Sequence, residues 1–186
     1  MKKILLTDHK KTHLDILIQN VNDELDGNDL ELSIVMKPNL KVMMDICSLL
    51  EEYKKRIVFV VQINSSSTSI LKVVDPYSPY FIDRHAALKY AFENGFRTAV
   101  EADPMYDNMF EKLINSVRDY VTDYIHIDIL TLRYVNDFVF SPIKQLLLMA
   151  CENHCNDNTL SLIKTLYAED EKVVFGENLE KKFKKV

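Results

Sequence analysis

Glycine is scarce in this chain, with only Gly27, Gly95 and Gly176. Loops that wrap around a phosphate need glycine, because the backbone must approach the phosphate closely and often adopts a positive φ. Neither the dinucleotide-binding pattern G-x-G-x-x-G nor the P-loop pattern G-x-x-x-x-G-K-[ST] occurs in the sequence. The sequence therefore argues against an ordinary nucleotide-binding enzyme, and we expect no cofactor.

A surplus of positive charge and long apolar runs are absent as well. The formal net charge is −5 at pH 7, whereas proteins that bind duplex DNA usually carry a basic surplus or a basic stripe. No segment approaches the roughly 20 apolar residues of a membrane span. The apolar run at residues 4–6 is too short for the core of a signal peptide. We expect neither a nucleic-acid partner nor a membrane span in this chain.

Cysteine is sparse and odd in number, with Cys47, Cys151 and Cys155. Such a set gives no disulfide framework and favours a reducing compartment, so we expect a cytoplasmic protein. Cys151, His154 and Cys155 share one face of a predicted helix and are potential zinc ligands. A structural zinc site needs four ligands and no fourth lies near in sequence, so we favour an ordinary helix end.

Apolar runs and amphipathic segments alternate along most of the chain. Residues 57–61 form an unbroken β-branched apolar run, typical of a strand buried on both faces. Residues 10–25 carry apolar side chains every three or four positions, which predicts a helix. Such alternation with short links favours a parallel sheet. We predict an α/β fold, a flavodoxin-like or TIR-like three-layer sandwich with a central, mostly parallel, five-stranded sheet and C-terminal helices.

Two units are predicted along the chain. Residues 1–140 form the α/β domain, and residues 141–186 form a helical C-terminal extension that packs on it and ends in a basic tail. Residues 70–74 are interpreted as a short edge strand or an extended segment. Residues 75–80 contain two prolines and cannot be the interior of a helix.

Three carboxylates suggest one enzymatic alternative. Asp8 and Asp103 end predicted strands, and Asp107 follows close behind. Because the carboxyl ends of parallel strands form a ligand crevice, these residues could hold Mg²⁺ and activate water for phosphodiester cleavage. The alternative is thus a Mg²⁺-dependent, PIN-like nuclease. The competing interpretation is that Asp8 and Asp103 cap the helices that follow them.

The order of the predicted parts resembles the SEFIR domain, the TIR-related module of interleukin-17 receptors and their cytoplasmic adaptor. Residues 3–9 and 14–25 look like the opening strand and first helix of that family. Residues 49–61 look like its second helix and third strand, and residues 80–100 look like its long αC helix and fourth strand.

This resemblance implies a non-enzymatic signalling scaffold that pairs with similar domains, so we expect protein partners, either homotypic or heterotypic. In that family the αC region carries much of the pairing. Carried over to this chain, the region offers aromatic anchors and polar residues that set partner choice. These residues are Tyr77, Tyr80, Phe81, Asp83, Arg84, Lys89, Tyr90 and Glu93. In the other interpretation Phe81 and Phe92 belong to the core and the charges are merely solvated.

Overall fold

The structure, a computed structural model, describes residues 2–6, 11–27, 29–136, 141–154 and 156–184. Its strands are β1 (Lys2–Leu6), β2 (Leu32–Met36), β3 (Ile57–Gln62), β4 (Arg97–Met105), β5 (Ile125–Ile129) and β6 (Val173–Phe175). Its helices are α1 (Lys11–Leu25), α2 (Leu40–Leu49), α3 (Thr68–Val74), α4 (Phe81–Glu93), α5 (Phe110–Val117), α6 (Leu132–Asn136), α7 (Ser141–His154), α8 (Asp157–Tyr167) and α9 (Glu177–Phe183).

All six strands are parallel and belong to one sheet in the order β1-β2-β3-β4-β5-β6. The predicted class, an α/β fold around a central parallel sheet, is confirmed, although the sheet has six strands rather than five. β3 lies inside the sheet, as its apolar run predicts. The consecutive order is a finding of its own. Each crossover moves to the next strand in the same direction, whereas the flavodoxin-like order is 2-1-3-4-5.

One face of the sheet carries the main apolar core. Ile34, Phe59 and Ile127 are fully buried there, and α1, α2, α4, α5, α8 and α9 supply the opposing side chains. Right-handed crossovers that always step in one direction place their helices on the same face. The consecutive strand order therefore explains why the crossover helices α1, α2, α4, α5 and α8 share this core, and α9, which follows β6, packs beside them. A smaller apolar cluster joins α3, α6 and α7.

The other face of the sheet holds a third, smaller cluster made from Val35, Val58, Val60 and Ala99. Lys3 Nζ lies 3.1 Å from Glu101 Oε1 on this side. β1 and β4 are separated by two intervening strands, and three inter-strand steps span roughly 14 Å in a flat sheet. The ion pair therefore indicates that the sheet curves and twists towards this face.

The C-terminal segment contains a strand as well as helices. β6 pairs with β5, and side chains of α8 and α9, among them Leu160, Ile163 and Leu179, are buried in the main core. Residues 141–184 therefore share the sheet and the core of the preceding residues. In the part of the chain that the structure describes, no helix is long and apolar enough to cross a membrane.

One predicted element is wrong. Residues 70–74 belong to α3 and not to an edge strand or extended segment. Ser67 starts this helix, because its side chain accepts a hydrogen bond from the backbone amide of Ile70. Leu71 and Val74, three positions apart, supply its buried face.

Candidate functional site

The loop between α3 and α4 carries the most exposed aromatic residue of the described chain. The Tyr77 side chain is 100% exposed, and Ile82, in the first turn of α4, is 71% exposed. Exposed aromatic residues are the usual anchors of protein interfaces. Sequence reasoning named Tyr77 but missed Ile82, which it assigned only to the helix.

The buried side chain of Arg84 fixes this loop by hydrogen bonds. Its guanidinium is fully buried, and it donates hydrogen bonds to the carbonyl of Pro79 (2.6 Å) and the carbonyl of Gln62 (3.0 Å). It also pairs with Asp75 Oδ2 at 3.0 Å. Burial lowers the pKa of Arg84, and the charge of Asp75 counteracts this effect. One side chain thus ties the end of β3 to both ends of the loop.

The prediction that Arg84 lies on the exposed polar side of this helix is therefore wrong. The buried face of α4 consists of Arg84, Ala87, Leu88 and Ala91. These positions recur at spacings of three and four, so the sequence did contain a signal that Arg84 shares the apolar face. The signal is easily missed because an arginine is almost never fully buried unless its charge is paired.

Asp75 anchors the start of the loop. Its carboxylate accepts from Lys37 Nζ at 2.7 Å in addition to Arg84. Burial by itself raises the pKa of Asp75, but hydrogen bonds from Lys37 and Ser78 and the two positive charges outweigh it. The pKa of Asp75 therefore lies below its ordinary value. The loop is fixed at both ends by charged groups.

The remaining predicted contact residues divide between inward and outward contacts. Phe81 packs against two apolar clusters, and Tyr90 packs against the main core. The Tyr80 ring lies beneath Lys72 Nζ, 5.5 Å from the ring centroid. The inward contacts of Phe81 agree with the interpretation that this residue belongs to the core.

Charged side chains lie along α4, from its first turn next to the loop to its C-terminal end. Lys89 Nζ lies 3.7 Å from Glu93 Oε1 and 5.5 Å from the ring centroid of Tyr120. Asp83 is half-buried and Glu93 is exposed. Asp83 lies in the turn that adjoins the loop, whereas Lys89 and Glu93 lie further along the helix, so they can supply a polar rim only to a surface that extends along α4.

The carboxylates of the nuclease alternative have separate surroundings. Asp107 is buried, and it accepts hydrogen bonds from the Ser65 hydroxyl and from the backbone amide of Met109 just before α5. Asp103 lies inside β4, so it does not cap a helix as one interpretation expected. Asp8 lies outside the described residues. Within the described ranges, no group of three His, Cys, Asp or Glu residues could hold a metal ion.

Polar side chains gather on the second face of the sheet near the carboxyl ends of β3, β4 and β5. Glu101 accepts a hydrogen bond from Gln62 Nε2 at 3.0 Å, besides its pair with Lys3. The pKa of Asp103 is raised, first by burial of its carboxyl group, although the residue as a whole is exposed, and then by the charge of Asp128. His126 and Lys3 act in the opposite direction.

Asp128 has a structural role at the end of β5. Its carboxylate accepts from the backbone amides of Asn178 (3.2 Å) and Leu179 (2.8 Å) and from Asn178 Nδ2 (2.8 Å). These are the free amides of the first turn of α9, so Asp128 holds the N-terminus of that helix. Gly176 packs so closely on Asp128 that a Cβ atom there would clash with the carboxylate side chain.

Asn64, just beyond β3, is nearly fully buried. Its Nδ2 donates to the carbonyl of Pro104 at 2.9 Å. Its Oδ1 has no hydrogen-bond partner among the described residues. A buried amide oxygen of this kind has capacity for one more donor.

The cysteines offer no reactive group that the structure describes. Cys47 is buried on α2, and burial raises the pKa of its thiol to about 12, which keeps it protonated. Cys155 lies outside the described residues, and so do the side chains of Cys151 and His154.

Comparisons with protein-family models, with curated proteins and with solved structures found no match for this chain. The class of protein is therefore defined by the structure itself. It is an α/β protein with a consecutive parallel sheet and an exposed aromatic loop that buried charges fix in place.

Proposed function

We propose that this chain is a non-enzymatic protein-interaction module, which acts in the cytoplasm as a signalling scaffold and pairs with a similar, SEFIR/TIR-like domain. The observation that carries the proposal is the full exposure of Tyr77 on a fixed loop. An aromatic side chain gains binding energy when a partner covers it. A loop that is already ordered loses less conformational entropy on binding than a free one.

The charges along α4, the helix that follows the loop, add support to the proposal. Asp83, Lys89 and Glu93 provide both signs of charge along α4. Charges at the rim of an interface steer the encounter and suppress wrong partners more than they raise affinity. We therefore expect Tyr77 and Ile82 to set affinity, and the α4 charges to set the association rate and its salt dependence.

Site-specific photocrosslinking tests the proposal. A photoreactive amino acid replaces Tyr77 in one variant and Leu132, an exposed residue on α6, in the control. We expect a discrete protein adduct from position 77 in cells and none from position 132. Tyr77→Ala combined with Ile82→Asp should weaken binding of the captured partner at least tenfold, or about 1.4 kcal/mol.

Two results would contradict the proposal. One is the absence of any adduct from position 77 while the variant remains folded. The other is normal binding by the double variant, since the exposed aromatic loop would then contribute nothing to recognition.

The nuclease alternative receives no support from the described carboxylates, because the Asp107 carboxylate already accepts hydrogen bonds from the Ser65 hydroxyl and the Met109 amide. A second candidate function has one observation in its favour. The buried Oδ1 of Asn64, which has no hydrogen-bond partner among the described residues, lies after β3, near the carboxyl ends of the strands, where parallel sheets bind ligands. We propose as the second candidate a small polar ligand that donates a hydrogen bond there. A thermal-shift screen of polar metabolites tests it, and a shift retained by Asn64→Leu would exclude this residue from binding.

A further inference from the structure

The second face of the sheet, opposite the main core, carries polar side chains where β3 ends. Val61 and Ile63 are buried in the main core, and successive side chains of a strand point to opposite faces. The pairing with β4 continues past the end of β3, because the backbone amide of Ile63 donates to the carbonyl of Glu101 at 2.9 Å. Gln62 and Asn64 therefore lie on the second face.

Residues of β4 and β5 extend this polar surface. Glu101 lies on it because its neighbours in β4 are buried in the main core, and the sheet register aligns Glu101 with Gln62 and with His126. The charges of Glu101 and His126 act on the carboxyl group of Asp103, which places Asp103 beside them. The sheet curves towards this face, where Lys3 reaches Glu101. The surface is therefore concave, as the sites of small ligands usually are.

One hydrogen-bond acceptor on this surface is buried and unpaired. Asn64 is 3% exposed, and its Oδ1 has no hydrogen-bond partner among the described residues. The side-chain amide is held in place, since its Nδ2 donates to the carbonyl of Pro104, the residue after Asp103, at 2.9 Å. A buried acceptor that lacks a donor is unfavourable, so the N–H group of a ligand would stabilise it.

A second acceptor, the Asp103 carboxylate, lies on the neighbouring strand. Glu101 already accepts from Lys3 and Gln62, and Asp128 accepts from the amides of α9. Asp103 makes no hydrogen bond or ion pair with another residue of the described ranges; burial of its carboxyl group and the charge of Asp128 raise its pKa. Neighbouring strands lie about 4.8 Å apart, so one small group can reach this carboxylate and the unpaired amide oxygen together.

We infer that this concave surface binds a small primary amine, whose ammonium group pairs with the Asp103 carboxylate and donates a hydrogen bond to Asn64 Oδ1. An ammonium group has three donors and no acceptor, which matches two unpaired acceptors. An anionic ligand would meet the like charges of Asp103, Glu101 and Asp128. A metal ion does not fit, because no group of three His, Cys, Asp or Glu residues in the described part of the chain could hold one. The inference rests on the second candidate function and specifies its ligand.

A titration of the ¹⁵N-labelled chain, followed by two-dimensional NMR, tests the inference with three matched probes. Ethanolamine, ethylene glycol and glycolate share a hydroxyl group and differ in the second group, which is an ammonium, a hydroxyl or a carboxylate. Sodium chloride keeps the ionic strength equal. We expect ethanolamine to cause saturable shifts in the Asn64 side-chain amide and the backbone amides of residues 101–103, with a Kd of about 1–10 mM. The other two probes should cause none at the same concentrations.

A conservative variant tests the role of the charge. Asp103→Asn removes the negative charge and keeps the shape of the side chain, so we expect ethanolamine to bind at least about tenfold more weakly. Asp103 is exposed, so the variant should fold, and circular dichroism with urea denaturation checks this. The matched control, Asp45→Asn, changes an exposed aspartate of α2 and should bind ethanolamine like the wild type.

The inference is overturned if ethanolamine causes no saturable shift up to about 100 mM, or if Asp103→Asn binds it as tightly as the wild type does. Tighter binding of glycolate overturns it as well, because the surface would then select an anion. Equal binding of ethylene glycol overturns the amine but leaves the second candidate function, a polar ligand at Asn64, in place. The interaction module depends on Tyr77 and is tested separately by crosslinking, so its failure would leave these titrations unchanged.

Discussion

Two buried charges organise two regions of the sheet, and they do so in opposite ways. Near the end of β3, Arg84 donates to two carbonyls and a carboxylate and so fixes the loop before α4. At the end of β5, Asp128 accepts from backbone amides and so fixes the start of α9. In both regions the buried charge is hydrogen-bonded by backbone groups and by one side chain of the same protein, Asp75 for Arg84 and Asn178 for Asp128. Under the proposed function, recognition depends on exposed side chains instead, above all on Tyr77, whose loop Arg84 fixes.

The largest expected effect on stability comes from removing the buried positive charge of Arg84. Arg84→Met should lower the free energy of unfolding by about 3–5 kcal/mol, because the buried carbonyls of Gln62 and Pro79 lose their donor. Urea denaturation measures this loss. Lys89→Met on the exposed side of the same helix is the control, and it should cost less than about 1 kcal/mol. Equal effects at the two positions would remove the basis for treating Arg84 as the anchor.

Removing the carboxylate of Asp128 should lower the free energy of unfolding by somewhat less. Asp128→Ala leaves amides at the first turn of α9 without an acceptor, which we expect to cost about 2–3 kcal/mol in urea denaturation. Asp45→Ala, at an exposed position of α2, is the control and should change stability by less than about 0.5 kcal/mol. Hydrogen exchange should quicken in α9 first. A uniform increase across the chain would show that Asp128 does not act locally.

A second test of the anchor at the end of β5 changes Gly176, the residue packed against Asp128. Gly176→Ala adds a methyl group that clashes with the Asp128 side chain, and we expect it to cost about 1–3 kcal/mol. Glu177→Ala, the next residue, makes no such clash and serves as the control. A neutral result for Gly176→Ala would mean that the start of α9 shifts freely, and the comparison with the β3 anchor would then weaken.

The smallest effects concern pH, and they should have opposite signs in the two regions. Asp75 has a lowered pKa, so its contribution is present above the ordinary aspartate pKa and disappears as pH falls through the lowered value. Asp103 has a raised pKa, so the folded state loses stability as pH rises from the ordinary to the raised value. At neutral pH, Asp75→Asn should destabilise the protein and Asp103→Asn should stabilise it.

Urea titrations at a series of pH values measure both effects. The difference between Asp75→Asn and the wild type should shrink below about pH 4, the ordinary aspartate range. The gain from Asp103→Asn should also vanish on acidification, since the wild-type carboxyl group is then neutral. Slopes of the same sign for the two variants would contradict the assigned surroundings.

Most of the sheet could be predicted from the sequence because its strands have local signatures. The run at residues 57–61 is β-branched and apolar, and it forms an interior strand. Residues 70–74 of α3 were mistaken for an edge strand or an extended segment, because a helix of seven residues is too short for the spacing of Leu71 and Val74 to outweigh its β-branched composition. β6 was missed for a related reason, since a strand of three residues is too short to show the alternation of apolar and polar side chains.

The candidate site was predicted only in part. Tyr77 was named from what the family resemblance implies, and the prolines at positions 76 and 79 predicted separately that its segment is not the interior of a helix. Arg84 was placed on the wrong side of α4, because polar residues are assigned to the surface by default. Arg84 can be buried because folding brings Asp75, Pro79 and the end of β3 around its guanidinium. The sequence alone does not show that these groups meet.

The sequence by itself determined the α/β class and the positions of most strands and helices, because apolar spacing acts over a few residues. Only the tertiary structure decided the consecutive strand order, the burial of Arg84 and Asp128, and the exposure of Tyr77. These features depend on contacts between residues far apart in the chain, and the energy of a buried charge depends on partners that only folding brings within hydrogen-bonding distance.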